Sequence, residues 1–232
     1  MEQRGFNSYG NIPPVTKNLL IINTILWLAT WLMQDRVDLV NLLGLHFPGA
    51  KDFYIFQFFT YMFMHGGFTH LFFNMFAVYM FGRIIESTWG SRRFLFYYIV
   101  TGLGAAVIQE LVWLYTVHNV AAANGLSIAQ QIAGDPSSNF LITIGASGSV
   151  FGILLAFAMY FPNIQMFIIP FPFPIKAKYL VIGYGAIELF TGIANFSGDN
   201  IAHFAHLGGM LFGLILILYW KKKDKAHGRH FY

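Results

Sequence analysis

The sequence predicts an all-α, polytopic membrane protein: a bundle of six transmembrane helices with both termini cytoplasmic. Three observations predict it. First, 56% of the 232 residues are hydrophobic and only 10% are charged, against about 25% charged in an ordinary soluble domain. A soluble fold of this size has nowhere to hide so much apolar surface, which therefore needs lipid as its solvent. Second, the apolar residues gather into six runs, 18–33, 68–85, 94–115, 140–161, 178–196 and 201–220, each near the roughly 20 residues that a bilayer-crossing helix requires. Third, the cations are lopsided. With the N-terminus inside, only Arg36 and Lys51 of the 14 Lys and Arg fall outside, and an inner excess of cations sets orientation.

Taken in order, residues 1–17 form a cytoplasmic segment. Glu2, Asn7, Asn11 and Pro13-Pro14 are unlike a secretory signal peptide, and Met33-Gln34-Asp35 follows the first run where a small-residue cleavage site would stand. The first run is short and extends into its polar flanks. Residues 34–58 mix Leu42-Leu43, Leu45, Phe47, Phe53-Tyr54 and Phe56 with charges, a pattern that suits a segment lying in the interface. Runs two and three bracket Arg92-Arg93. Residues 116–139 read as a polar outer loop with a short helix near 127–132. The fourth run begins among polar residues, after Asn139. Pro172 and Pro174 break the chain before the fifth run, which carries Glu188. The sixth run leads into a basic tail, 221–232, whose partner is anionic lipid rather than nucleic acid. Residues 18–220 make one membrane domain. The absence of cysteine excludes disulfides, thiolate metal sites and a Cys nucleophile.

Polar side chains in hydrocarbon are costly, so they mark functional positions. With the topology fixed, His70 and Asn74 on the second helix, Ser147 on the fourth, and His203 and His206 on the sixth all lie at the outer ends of helices that run outside to inside. His70 and Asn74, at i and i+4, share one face. Gly148/Gly152 and Gly209/Gly213 form two Gly-x-x-x-Gly stripes that allow close backbone approach. At about 100° per residue, the second stripe lies beside His206, and Ser147 borders the first. Packing helices four and six through these glycines sets Ser147 beside His206. Each signal alone has a plainer reading: a packing motif, a serine bonded to its own helix, or a histidine pair for a metal. Their coincidence at one depth favours a hydrolase.

The chain resembles the rhomboid intramembrane serine proteases. The matching residues are Gly145-Ala146-Ser147-Gly148, Ala205-His206-Leu207-Gly208-Gly209 with Gly213, His70-x-x-x-Asn74, and Glu86-x-x-x-Gly90, over roughly residues 18–220. The resemblance implies Ser147 as nucleophile and His206 as general base. It implies His70, Asn74 and the Ser147 N–H as donors to the oxyanion, and His65 as a structural residue of the loop entering helix two. Phe151 stands where some relatives pack a tyrosine on the histidine. Where relatives carry Trp-Arg in the first outer loop, this chain has Phe56-Gln57, so another group must fix that loop.

The expected function is endoproteolysis of transmembrane helices near the outer membrane face, in a bacterial inner membrane. Helix five and the loop 196–199 form the gate, small residues weaken the substrate helix at the cut, and no cofactor or metal takes part. No acidic residue has an obvious place behind His206, because Asp199 lies in a loop and Glu188 near the middle of helix five. A Ser147–His206 dyad held by Phe151 is therefore expected, with Glu188 neutral and facing the bundle. A catalytically inactive rhomboid-like chaperone is the alternative; such relatives lack the serine or the histidine. A transporter or metal protein using His65, His70, His203 and His206 would need carboxylate support or inverted repeats.

Overall fold

The computed structural model describes residues 11–134, 141–167, 173–194 and 202–226. Residues 1–10, the loop 196–199 with Asp199, Asn139, Pro172 and the end of the tail lie outside these.

The first span, α1 (Pro14–Met33), starts at a proline; proline suits the first helical turn, where no N–H partner is needed. The free N–H groups of that turn are met from elsewhere. The Glu86 carboxylate, 2% exposed, accepts from Val15 N–H (2.9 Å), Thr16 N–H (2.7 Å) and the Thr16 hydroxyl (2.8 Å). It also accepts from Ser91 Oγ–H at 2.7 Å, so one acid ties α1 to the turn at Gly90, whose φ of 82° favours glycine.

The segment after α1 holds α2 (Leu39–Leu43), β1 (Leu45–His46), α3 (Gln57–Thr60) and a 3₁₀ turn, Tyr61–Phe63. It turns Leu45 and Phe47 inward and leaves Ile55, Phe56 and Phe59 exposed, as an interfacial segment should. Gln57, fully buried, holds it. Its Oε1 accepts from Tyr54 N–H (3.0 Å) and His46 N–H (3.4 Å), and its Nε2 donates to Asp52 O (2.9 Å) and Leu42 O (3.2 Å). Gln57, the residue where the resemblance expects an arginine, is thus itself the group that holds this loop.

The second span consists of α4 (Phe68–Ala77), a π turn (Val78–Gly82) and α5 (Arg83–Trp89). The third, α6 (Ser91–Ala123), is 33 residues long and overruns the expected end at 115. Residues 116–123 contain three alanines and no Gly or Pro, so nothing stops the helix. Gly125, at φ 67°, ends it, with Gly125 N–H bonded to Ala122 O and Leu126 N–H to Ala121 O, a Schellman motif. The short helix expected near 127–132 is α7 (Ile128–Gly134).

The fourth run differs most from expectation. Residues 142–143 form β2, antiparallel to β1 with Leu45 opposite Thr143, and α8 begins only at Ser147 and ends at Tyr160. Fourteen residues make a helix of about 21 Å, too short for a hydrocarbon core of roughly 30 Å. Gly145 starts it late: φ is 129° there, and a Cβ would sit 2.8 Å from His70 Nε2. A hairpin of β3 (Gln165–Met166) and β4 (Ile175–Lys176) precedes α9 (Ala177–Ala194), and α10 (His203–Ala226) completes the chain. Helix α10 continues past 220 through lysines, which are good helix formers, and Arg93 pairs with Asp224 at 3.0 Å.

Among the described residues, five helices are long and apolar enough to cross a membrane: Pro14–Met33, Phe68–Trp89, Ser91–Ala123, Ala177–Ala194 and His203–Lys225. The shorter α8 stands at the centre, between α6 and α10. Exposed Phe68, Phe72 and Phe76 on α4, and Ile182, Phe190 and Ile193 on α9, form the lipid-facing surface such a bundle needs.

Candidate active site

Backbone contact brings the site together. A Cβ on Gly209 would fall onto the Gly148 carbonyl, and one on Gly148 onto the Ala105 Cβ. The sequence predicts that the stripes join α8 to α10 throughout, but only half of each does. The other half faces α6: Gly152 lies on Thr101 (2.8 Å from an added Cβ to Cγ2), and Gly213 on the Tyr97 hydroxyl. The Tyr97 hydroxyl also donates to Gly152 O at 2.8 Å, and the Ser149 hydroxyl to Tyr98 O at 2.8 Å. Three helices, rather than two, therefore fix the register of Ser147 against His206.

The distance between them is 2.8 Å, from Ser147 Oγ to His206 Nε2. Phe151, one turn after Ser147, stacks on the imidazole with centroids 4.3 Å apart and planes 7° apart. A serine hydroxyl within hydrogen-bond reach of an imidazole can lose its proton to it as it attacks a carbonyl. Ser147 is also the first residue of α8, so its own N–H has no acceptor within the helix.

His70 adjoins the same turn through its Nε2 beside Gly145. Gly66 N–H donates to its Nδ1 at 3.5 Å, which leaves Nε2 as the protonated, donating nitrogen. The Asn74 amide, 6% exposed, spends one N–H on His70 O at 3.0 Å and keeps the second. His65 packs edge-on against His70, centroids 4.9 Å apart. Burial and the adjacent His70 hold its imidazole down at about 3, so it packs as a neutral ring.

The expectation that no carboxylate reaches His206 is overturned. Glu188 Oε2 lies 2.9 Å from His206 Nδ1 and 2.6 Å from His203 Nδ1. The first is an ion-pair contact that stands off the ring's N–H axis, so Nδ1 lacks an aligned hydrogen-bond acceptor among the described residues; the second is a short hydrogen bond. Glu188 is less than two turns from the end of α9, and His206 one turn into α10, which brings both to one level. The signal in the sequence was an acid in an otherwise apolar span facing a His pair across one hairpin. Tyr184, one turn before Glu188, reaches Phe151 edge-on at 6.4 Å. Glu188, His203 and His206 also offer ligand atoms within 4.8 Å of one another, the His₂Glu set that zinc accepts. The carboxylate support that a metal reading requires is therefore present. Glu110 is buried on α6 with neither oxygen hydrogen-bonded among the described residues.

Comparison with known proteins gives a consistent family. A family model described as a Rhomboid domain matches residues 52–223. The chain is 28% identical over 161 residues to Rhomboid protease AarA of Providencia stuartii, covering 67% of this chain and 52% of that protein. It is 24% identical to the Putative rhomboid protease YdcA of Bacillus subtilis, over 96% of each chain. It is 26% identical to Rhomboid-like protein 11, chloroplastic, of Arabidopsis thaliana, over 90% of this chain and 66% of that one. The chain thus spans between half and two thirds of the Providencia and Arabidopsis proteins and nearly all of the Bacillus one.

Proposed function

The chain belongs to the rhomboid family, and from that premise we propose that it is an intramembrane serine endopeptidase. Its substrates are transmembrane helices of other membrane proteins, cut near the outer face. The observation that carries this reading is the 2.8 Å contact between Ser147 Oγ and His206 Nε2 at the head of a short, central helix. Chains that only bind need no base aimed at a serine.

In this mechanism Ser147 Oγ attacks the scissile carbonyl carbon and His206 Nε2 takes its proton. The new C–O bond leaves the negative charge on the former carbonyl oxygen. The Ser147 N–H, the His70 Nε2–H and the second Asn74 N–H serve as its donors, and fixed donors cost no reorganisation as the charge develops. The imidazolium then protonates the leaving amine as the C–N bond breaks. Water, activated by the same His206, hydrolyses the ester and restores Ser147. No step uses a cofactor.

The membrane domain covers residues 18–220, with both termini cytoplasmic, in a bacterial inner membrane; the uneven distribution of cations supports that orientation. The short α8 keeps Ser147 about one third of the way into the membrane, where water can follow. The substrate unwinds at the cut because a helical carbonyl is already hydrogen-bonded, and it reaches the site past α9. The test is labelling in detergent with a serine-reactive fluorophosphonate. Labelling is expected in the wild type and lost in Ser147→Ala and His206→Ala; labelling that survives Ser147→Ala, or none in any variant, counts against the protease.

A further inference from the structure

The dyad leaves one side of its base unexplained. His206 presents Nε2 to Ser147, while its Nδ1 faces a carboxylate supplied by a different helix. A carboxylate within a span is expensive, and among the described residues this one pairs with no Lys or Arg. It has two imidazoles on one oxygen instead: His203 Nδ1 at 2.6 Å and His206 Nδ1 at 2.9 Å. All three side chains are close to nine-tenths buried. Were Glu188 only a latch between α9 and α10, the shorter contact to His203 would suffice. The second contact lands on the ring that must accept a proton.

We infer that Glu188 is a positioning residue of the hydrolytic centre: its carboxylate, delivered by α9 and steadied by His203, offsets the charge that His206 gains from Ser147. This rests on the protease reading above. When the Ser147 proton moves to His206 Nε2, the ring becomes an imidazolium with a proton on each nitrogen. The Nδ1 proton then lies beside Glu188 Oε2, and the attraction grows because water is scarce there. The carboxylate stays ionised throughout and takes no proton, the role a third acid plays toward a serine–histidine pair. Ring orientation has a separate source, because the carboxylate stands off the N–H axis whereas Phe151 lies flat on the ring. One face of α9 serves both, since Tyr184 and Glu188 are one turn apart and meet Phe151 and His206 respectively. The charge contact exists only while α9 is docked on α8 and α10.

The test compares wild type, Glu188→Gln, Glu188→Asp and Glu188→Leu by cleavage of a single-span substrate, fluorophosphonate labelling rate at Ser147, and thermal midpoint. Glu188→Gln, close in shape, is expected to lower kcat about 10- to 100-fold with KM within twofold, and to slow labelling by the same factor. Glu188→Asp should recover part of the rate. A Glu188→Gln enzyme within twofold of wild type in both assays overturns the inference. So does a change in KM alone, which would mark a gate. If neither Glu188→Gln nor Glu188→Leu folds, the carboxylate is structural and the inference falls. A wild-type rate abolished by EDTA would make the trio a metal centre instead. A wild type that neither labels nor cleaves, like Ser147→Ala, is the failure of the protease reading, a different result from any of these.

Discussion

On one side of α10, Gly209 meets the Gly148 backbone of α8 so closely that neither position has room for a methyl group. On the other, α9 buries only Ala177 and Val181, and Gly183 has nothing within 4 Å of an added Cβ. The two faces carry different parts of the same site. The pair proposed to react, Ser147 and His206, stands on the α8–α10 face, where α6 adds Ala105, Thr101 and Tyr97 as a third wall. The supporting groups, Glu188 and Tyr184, stand on α9. Close packing transmits strain and holds geometry, so the reacting atoms belong on the tight face. A helix proposed to let a substrate past belongs on the loose one.

This contrast can be broken or sharpened by substitution. The largest effect is expected from Gly209→Val, which drives a branched side chain into the Gly148 carbonyl. Overpacking costs about 1–3 kcal/mol or more, and here it also separates the reacting pair, so labelling at Ser147 should vanish and the thermal midpoint fall. Asn74→Ala comes next: loss of one aimed donor is expected to lower kcat about 10²–10³-fold while KM changes little, and an unchanged kcat would remove Asn74 from the oxyanion. Phe151→Leu keeps the site apolar but removes the ring stack, worth about 0.5–1.5 kcal/mol; kcat should drop about two- to tenfold while the thermal midpoint falls by only about 1–6 °C. The smallest effect is expected on α9 away from the site. Gly183→Ala should leave stability within about 0.5 kcal/mol and activity unchanged. If it proves as damaging as Gly209→Val, the two faces do not differ as described.

The long spans were legible because each repeats apolar residues over enough length to require lipid, and their ends moved where caps or flanking helix formers decided them. The overrun of α6 to Ala123 depended on a Schellman turn at Gly125, which composition alone does not mark. The late start of α8 was hidden because 140–146 is as apolar as a helix. Its strand pairing with Leu45–His46 is a contact over long sequence distance. Within the site, the approach of Ser147 to His206 could be read from spacing along single helices, and Phe151 from the resemblance to the family. Glu188 could not, because its partners sit across a hairpin on α10 and no periodicity within α9 points at them. Gln57 was visible only as a departure, and its four hydrogen bonds turn that departure into the device that fixes the loop.

The most direct test of the central claim uses lipid rather than detergent. A single-span substrate labelled at both ends is reconstituted in proteoliposomes with wild-type protein or with Ser147→Ala, and the fragments are weighed by mass spectrometry. The account predicts two fragments with wild type, cut within the outer third of the substrate helix, and an intact substrate with Ser147→Ala. Equal cleavage by both proteins, or a cut confined to the extramembrane segments, would contradict it.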